Sequence, residues 1–256
     1  MTHLSKFTPA ELFFLLRKER RRYLKELLKV TFLDLLLKQI LVITEVEKET
    51  NKTTQVYRYV EDGPRFFGYR PLDHEAVFVD TFRKNNDIRI IFQSMVKIGF
   101  QNAKSFSHYK TTIINRLIAN GHVTQNMFQQ VFGLYSLTSQ GLHIESKIRT
   151  EIQQLEKELP DLIKSTDEKA MEILKTINGN VFLIENIRMD LIEHINKAFL
   201  ATTKEDKQDG DYGFACSHYY GFSDSFDNSW GSSDSSGCGG GGGCAGDSGC
   251  GGCGGD

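Results

Sequence analysis

Cysteine is missing from the first 204 residues of this 256-residue chain. All five, Cys216, Cys238, Cys244, Cys250 and Cys253, lie beyond them. A disulfide-stapled secreted fold spreads its cysteines through the part that folds, so this body is expected to be held by burial alone. Long apolar runs are missing as well. A transmembrane helix needs about 20 consecutive apolar residues, and the best stretch, Phe32 to Ile43, is broken by Asp34, Lys38 and Gln39. The N-terminus reaches Pro9 and Glu11 without a secretory hydrophobic core. These absences point to a cytoplasmic protein. Positive charge is almost absent from the end of the chain: residues 205–256 hold Lys207 against nine acidic residues, a net −8. The body, 1–204, carries 30 Lys/Arg against 24 Asp/Glu, a net +6, so the overall −2 is a cancellation.

Enzyme signatures are absent too. There is no phosphate-cradling Gly-x4-Gly-Lys-Ser/Thr, no His-Glu-x-x-His and no Gly-x-Ser-x-Gly. The Gly-x-Gly-x-x-Gly at Gly237–Gly242 has neither a preceding strand nor a following helix. Asp73-His74-Glu75 reads as a helix cap with a polar first turn, not as ligands. No catalytic residue and no cofactor is expected.

What is present is helical patterning. Thr8, Pro9 and Glu11 have the spacing of a capped helix start, and Leu12, Leu15 and Leu16 give it an apolar face. A second amphipathic run holds Tyr23, Leu24, Leu27 and Leu28. A third runs from Thr31 to Gln39, so apolar that burial or a protein partner suits it better than DNA. Ile40–Val46 and Gln55–Val60, around a polar turn at Glu49–Lys52, predict a hairpin. Three helices and a hairpin are the order of a winged helix-turn-helix, placed at 1–62. A second such unit is expected over 71–160. It has a helix from Asp73 to Phe82, another from Ile88 to Gly99, and a third from Ser105 to Asn120 closed by Gly121. Short β-prone pieces follow near His122–Thr124 and Val131–Leu137, then a long helix capped by Thr138 and stopped by Pro160. Residues 161–200 predict a helical hairpin turning at Asn178-Gly179, and 205–256 a disordered Gly/Cys-rich acidic tail. The fold class expected is therefore mainly α with small β-hairpins: winged-helix-like units, a helical hairpin and a low-complexity end.

The motif Thr8-Pro9-Ala10-Glu11-Leu12 with Arg20-Arg21-Arg22, the Leu-rich run into β structure, and the tail Ser236-Gly237-Cys238 with its five following glycines resemble an uncharacterised bacterial family. Leu134–Thr138 with Gly141 is similar to the entry of the closing helix in winged-helix domains. The resemblance implies helical, winged-helix-like segments ending in a Gly/Cys tail. It implies no activity, so no residue inherits a catalytic role. Relatives in that family commonly carry membrane spans, and this sequence has none.

The function expected is non-enzymatic: a protein-interaction or scaffold module with partners among proteins, itself included. Its tail would serve for tethering or self-association. Tyr212, Phe214, Tyr219, Tyr220, Phe222, Phe226 and Trp230 fall within 19 residues. Such a segment makes weak multivalent contacts, docks on the oppositely charged body, or serves only as a flexible solubilising end. The alternative is nucleic-acid binding through Arg17, Arg20, Arg21 and Arg22, with Thr111, Thr112, Asn115 and Arg116 on the 105–120 helix. A further alternative treats the tail as a modified segment or a metal site. Cys238, Cys244, Cys250 and Cys253 supply enough thiolates for zinc, but their glycine surroundings supply no supporting shell.

Overall fold

The computed structural model describes residues 3–16, 24–50, 53–84, 88–164 and 176–183. The chain enters through a 3-10 turn, Leu4–Lys6, and helix α1, Pro9–Leu15. Thr8 and Glu11 form the expected reciprocal capping box, with Pro9 in the first turn. Helix α2, Leu24–Leu37, is one continuous helix where the sequence predicted two. The β-branched Thr31 reads as a break, yet its hydroxyl donates back to the Leu27 carbonyl at 2.7 Å, so it sits inside the helix with its polar atom satisfied. The expected burial of the Leu-rich run holds. Phe32, Leu33, Leu35, Leu36 and Leu37 are all buried, which leaves this helix no free apolar face.

Gln39 closes α2 in a left-handed conformation (φ 57°). Ile40 N–H then reaches the Leu35 carbonyl at 2.9 Å, and the chain leaves directly into the predicted hairpin. Strands β1, Leu41–Thr50, and β2, Thr53–Asp62, pair antiparallel from Leu41↔Asp62 to Thr50↔Thr53. The connection is therefore shorter than the Glu49–Lys52 turn read from polarity.

Helix α3, Ala76–Lys84, follows a turn at 73–75, and β3, Ile90–Ile91, adds to the hairpin by pairing with β2. Ile90 and Ile91, read from periodicity as helical, are thus strand. Helix α4, Phe92–Ala103, continues through Gly99 instead of ending there. A Cβ at Gly99 would overlap the Phe78 ring, so this glycine marks close packing of α4 on α3, not a cap. Helix α5, Phe106–Ala119, matches the expected span. Ser105 accepts from the His108 N–H, Gly121 is left-handed (φ 74°), and His122 N–H closes on the Leu117 carbonyl at 2.9 Å.

Strands β4, Val123–Thr124, and β5, Ser136–Leu137, pair antiparallel and carry a short helix, α6, Met127–Val131, between them. Helix α7, Ser139–Lys164, starts where Thr138 accepts the Gly141 N–H at 3.0 Å. It runs past Pro160. A proline removes one N–H donor from the ladder but does not by itself end a helix. Ile148, Ile152 and Leu155 form its buried stripe.

One core joins these parts, reaching from Leu4 to Val181. Contacts far apart in sequence hold α7 and the residues just before it on the N-terminal segment. Glu151 accepts from the Leu4 N–H at 2.9 Å, Arg149 donates to the Leu16 carbonyl at 2.7 Å, and Tyr135 hydroxyl to the Phe14 carbonyl at 2.9 Å. Asn178–Leu183, expected as the turn of a helical hairpin, is a 3-10 helix seated against α1 and α2. Its anchors are buried Ile177 and Val181 and Asn180, whose amide donates to the Leu4 and Phe7 carbonyls at 2.7 and 2.9 Å. The hairpin's arms lie largely outside the described residues, as does the whole 205–256 segment.

Candidate functional site

Two features stand out: charged groups gathered inside the core, and an apolar face turned outward on α6. The first begins with Glu11, whose capping role places its carboxylate under α1. Glu11 Oε2 accepts from the Thr8 N–H (2.8 Å) and hydroxyl (3.1 Å), while Oε1 pairs with Arg116 Nε of α5 at 2.6 Å. Since the Thr8 hydroxyl donates to Glu11, it accepts from His74 Nε2, 3.0 Å away. That leaves His74 Nδ1 buried with no hydrogen-bond partner among the described residues. Burial holds this imidazole below its usual pKa, against the opposing pull of Glu75 and Glu11.

A neighbouring chain of groups ties α2 to the turn before α3. Lys38 Nζ pairs with Asp34 at 2.6 Å and Glu75 at 3.2 Å. Glu75 also accepts from Tyr69 hydroxyl (2.7 Å) and the Leu72 N–H (2.8 Å). Asp34 accepts from the Gly179 N–H at 3.0 Å. Burial raises Asp34 against the pull of Lys38. It also raises Glu75, but there Lys38, His74, the Leu72 N–H and Tyr69 together prevail and hold the carboxyl below its usual range. Burial opposes the Lys38 charge, yet Asp34 and Glu75 outweigh it and hold the ammonium above its usual range. Every charge in this set is matched by a partner within the fold. Between the two groups lies a polar cavity of about 130 Å³, bordered by Asp34, Lys38, Arg116 and Asn180. Asn180 Oδ1 is buried there without a hydrogen-bond partner among the described residues, and the volume is large enough for a few water-sized molecules.

The α6 face is built differently. Asn126 and Gln129 cap the helix reciprocally. Gly133, left-handed at φ 63°, lets Leu134 N–H reach the Gln129 carbonyl at 2.7 Å. Gln125 donates to the Leu134 carbonyl at 2.6 Å, and Gln129 to the Ser136 hydroxyl at 2.7 Å. Polar side chains therefore lock this excursion onto its own two-stranded stem. The apolar ones point away: Met127 is 85% exposed, Phe128 79%, Val131 81% and Phe132 70%. At 100° per residue these four fall within an arc of about 140°. No residue of this helix is buried, so its apolar side chains stand in solvent. Leu134 and Leu142 add exposed apolar surface nearby in sequence.

The residues suggested for nucleic acid fare unevenly. Arg17, Arg20, Arg21 and Arg22 lie outside the described residues. Arg116 is committed to Glu11. Thr111 hydroxyl donates to the Ser107 carbonyl (2.8 Å) and Thr112 to Tyr109 (2.7 Å), while Asn115 is exposed. Lys110, the other cation of α5, lies 5.1 Å from the Tyr135 ring and 5.6 Å from that of Phe14. Cys238, Cys244, Cys250 and Cys253 also lie outside the described residues, and among the described ones no group of three His, Cys, Asp or Glu is placed to hold a metal. No helix among them is long and apolar enough to cross a membrane. Both main features escaped sequence reading. Asp73-His74-Glu75 reads in sequence as a helix cap with a polar first turn, whereas His74 and Glu75 are buried. In sequence, residues 125–130 fall between two β-prone pieces, His122–Thr124 and Val131–Leu137, although the spacing of Asn126 and Gln129 is a capping box and Gly133 a C-cap.

No family model, no curated protein and no solved structure matches this chain.

Proposed function

We propose that this protein works by binding other protein surfaces, not by catalysis, and that the apolar face of α6 is its contact surface. The observation that carries the reading is the exposure of α6: polar side chains fix its backbone, and four large apolar side chains stand together in water. An apolar cluster on a rigid support is characteristic of interaction sites. Burying each side chain is worth about 1.5–3 kcal/mol, or about 6–12 kcal/mol for four. Association costs of similar size oppose this. The face alone therefore suits a weak contact, or one strengthened by tethering.

The buried charges are read as structural. Glu11–Arg116 and Asp34–Lys38–Glu75 satisfy one another, and each links elements far apart in sequence. The nucleic-acid reading gains nothing from α5, whose two cations are engaged within the fold.

A photoreactive residue placed at Phe128 of the full chain tests the proposal, with one at exposed Lys97 of α4 as the control. The expected result is protein adducts from position 128 well above those from position 97. Equal adduct formation at both would overturn the reading.

A further inference from the structure

The α6 face has an occupant available within the same polypeptide. We propose that the aromatic segment 212–230 of the chain folds back onto the apolar face formed by Met127, Phe128, Val131 and Phe132. This rests on the reading of α6 as a contact surface, and names what covers it.

Chemistry, charge and reach support the pairing. Segment 212–230 carries seven aromatic residues spaced by Gly, Ser, Asp and Asn, side chains suited to a small exposed apolar face. The stretch 104–150, which contains α6, has five basic residues and one acidic, whereas 209–234 has five aspartates and no Lys or Arg. The last described residue is Leu183, leaving 28 residues before Tyr212. Extended, these span about 95 Å, several times the radius of a body this size, about 16 Å. Tethering then raises the segment's effective concentration to about the millimolar range, which lets a weak contact be made within the chain.

Trp230 is the only tryptophan in the protein, so its fluorescence reports this segment alone. Acrylamide quenching is measured on the full chain, on a Phe128→Ser/Phe132→Ser variant, and on Val56→Ser, which alters an exposed apolar residue of the hairpin. With an effective concentration a few times the dissociation constant, quenching is expected to rise about threefold in the α6 variant. It should stay at the parent value in Val56→Ser, with circular dichroism unchanged in both. Protection in the parent should not depend on protein concentration.

Equal quenching in the parent and α6 variant would overturn the proposal. So would protection that grows with concentration, which assigns the contact to a second copy. Photocrosslinking from position 128 gives an independent measure, with intramolecular peptides from 212–230 expected in the monomer. Adducts only to separate proteins, with Trp230 fully quenchable, would end this inference and leave the proposed function standing. Adducts no more abundant than at position 97 would end both.

Discussion

Glu11 is doing two jobs that sequence spacing shows only in half. Its place three residues after Thr8 announces a capping box, and the cap is there. Nothing in that spacing announces Arg116, 105 residues away, whose Nε lies 2.6 Å from the other carboxylate oxygen. Replacing Arg116 with Met leaves a carboxylate buried without its counter-charge. Because the arginine is partly exposed, the expected loss is about 2 kcal/mol, below the 3–5 typical of fully buried pairs. Urea denaturation should show part of that loss recovered when Glu11→Gln is added. Gly179 gives a second residue-scale expectation. A Cβ there would lie 2.5 Å from Asp34 Oδ1 and 2.8 Å from its Cα. Gly179→Ala should therefore destabilise by about 1–3 kcal/mol, while Asn178→Gly, at a position with φ 47°, should be tolerated or slightly stabilising. Thermal unfolding of the two variants should separate them.

At the scale of elements, legibility followed the locality of the signal. The starts of α1, α5 and α7, the left-handed close of α5 and the β1–β2 hairpin all rest on residues within a few positions of one another, and all were readable. The division of α2 failed because a β-branched threonine resembles a break until its hydroxyl is seen satisfied by Leu27. The end placed at Gly99 failed for a related reason: glycine serves caps and close packing alike, and only the Phe78 ring distinguishes them. Helix α6 is the opposite case. Its caps were present in sequence, but five residues are too few to show a helical period, and Val131–Leu137, from its last residue on, reads as β-prone. Since its apolar side chains lie outside the core, Phe128→Ser/Phe132→Ser should shift unfolding free energy by no more than about 1 kcal/mol. Leu35→Ala in the buried face of α2 should cost about 2–5 kcal/mol. Chemical denaturation of the two makes the comparison, and a large loss in the α6 variant would show that face to be packed.

For the whole molecule, the buried ionisable groups predict how stability responds to acid. His74 is held neutral below its usual pKa, so between that usual value, about 6.5, and its lower folded value the unfolded chain binds more protons. Stability from this group is present above about pH 6.5 and declines as pH falls below it. Glu75 is likewise held low, so its contribution is present above its usual value near 4.5 and is lost as pH falls through the folded value. Asp34, raised by burial, acts in the other direction and favours its protonated form. The slope attributable to His74 alone cannot exceed one proton, about 1.4 kcal/mol per pH unit. Urea unfolding between pH 7.5 and 5.5 should show a shallower decline in His74→Gln than in the parent. His122, also held low by burial, supplies a remaining slope.

The sequence by itself determined the local grammar of this protein: where helices begin, where the hairpin turns, which helix is too apolar to face water, and that charge and cysteine are unevenly divided along the chain. Periodicity and capping act over a few residues, and so are written in the order of residues. Tertiary structure decided which charges neutralise one another, why Gly99 and Gly179 must lack side chains, and which apolar residues remain outside. Burial and pairing are relations between residues distant along the chain, 37 positions for Lys38 and Glu75 and 176 for Asn180 and Leu4. Their free energies arise only when folding removes water between those residues.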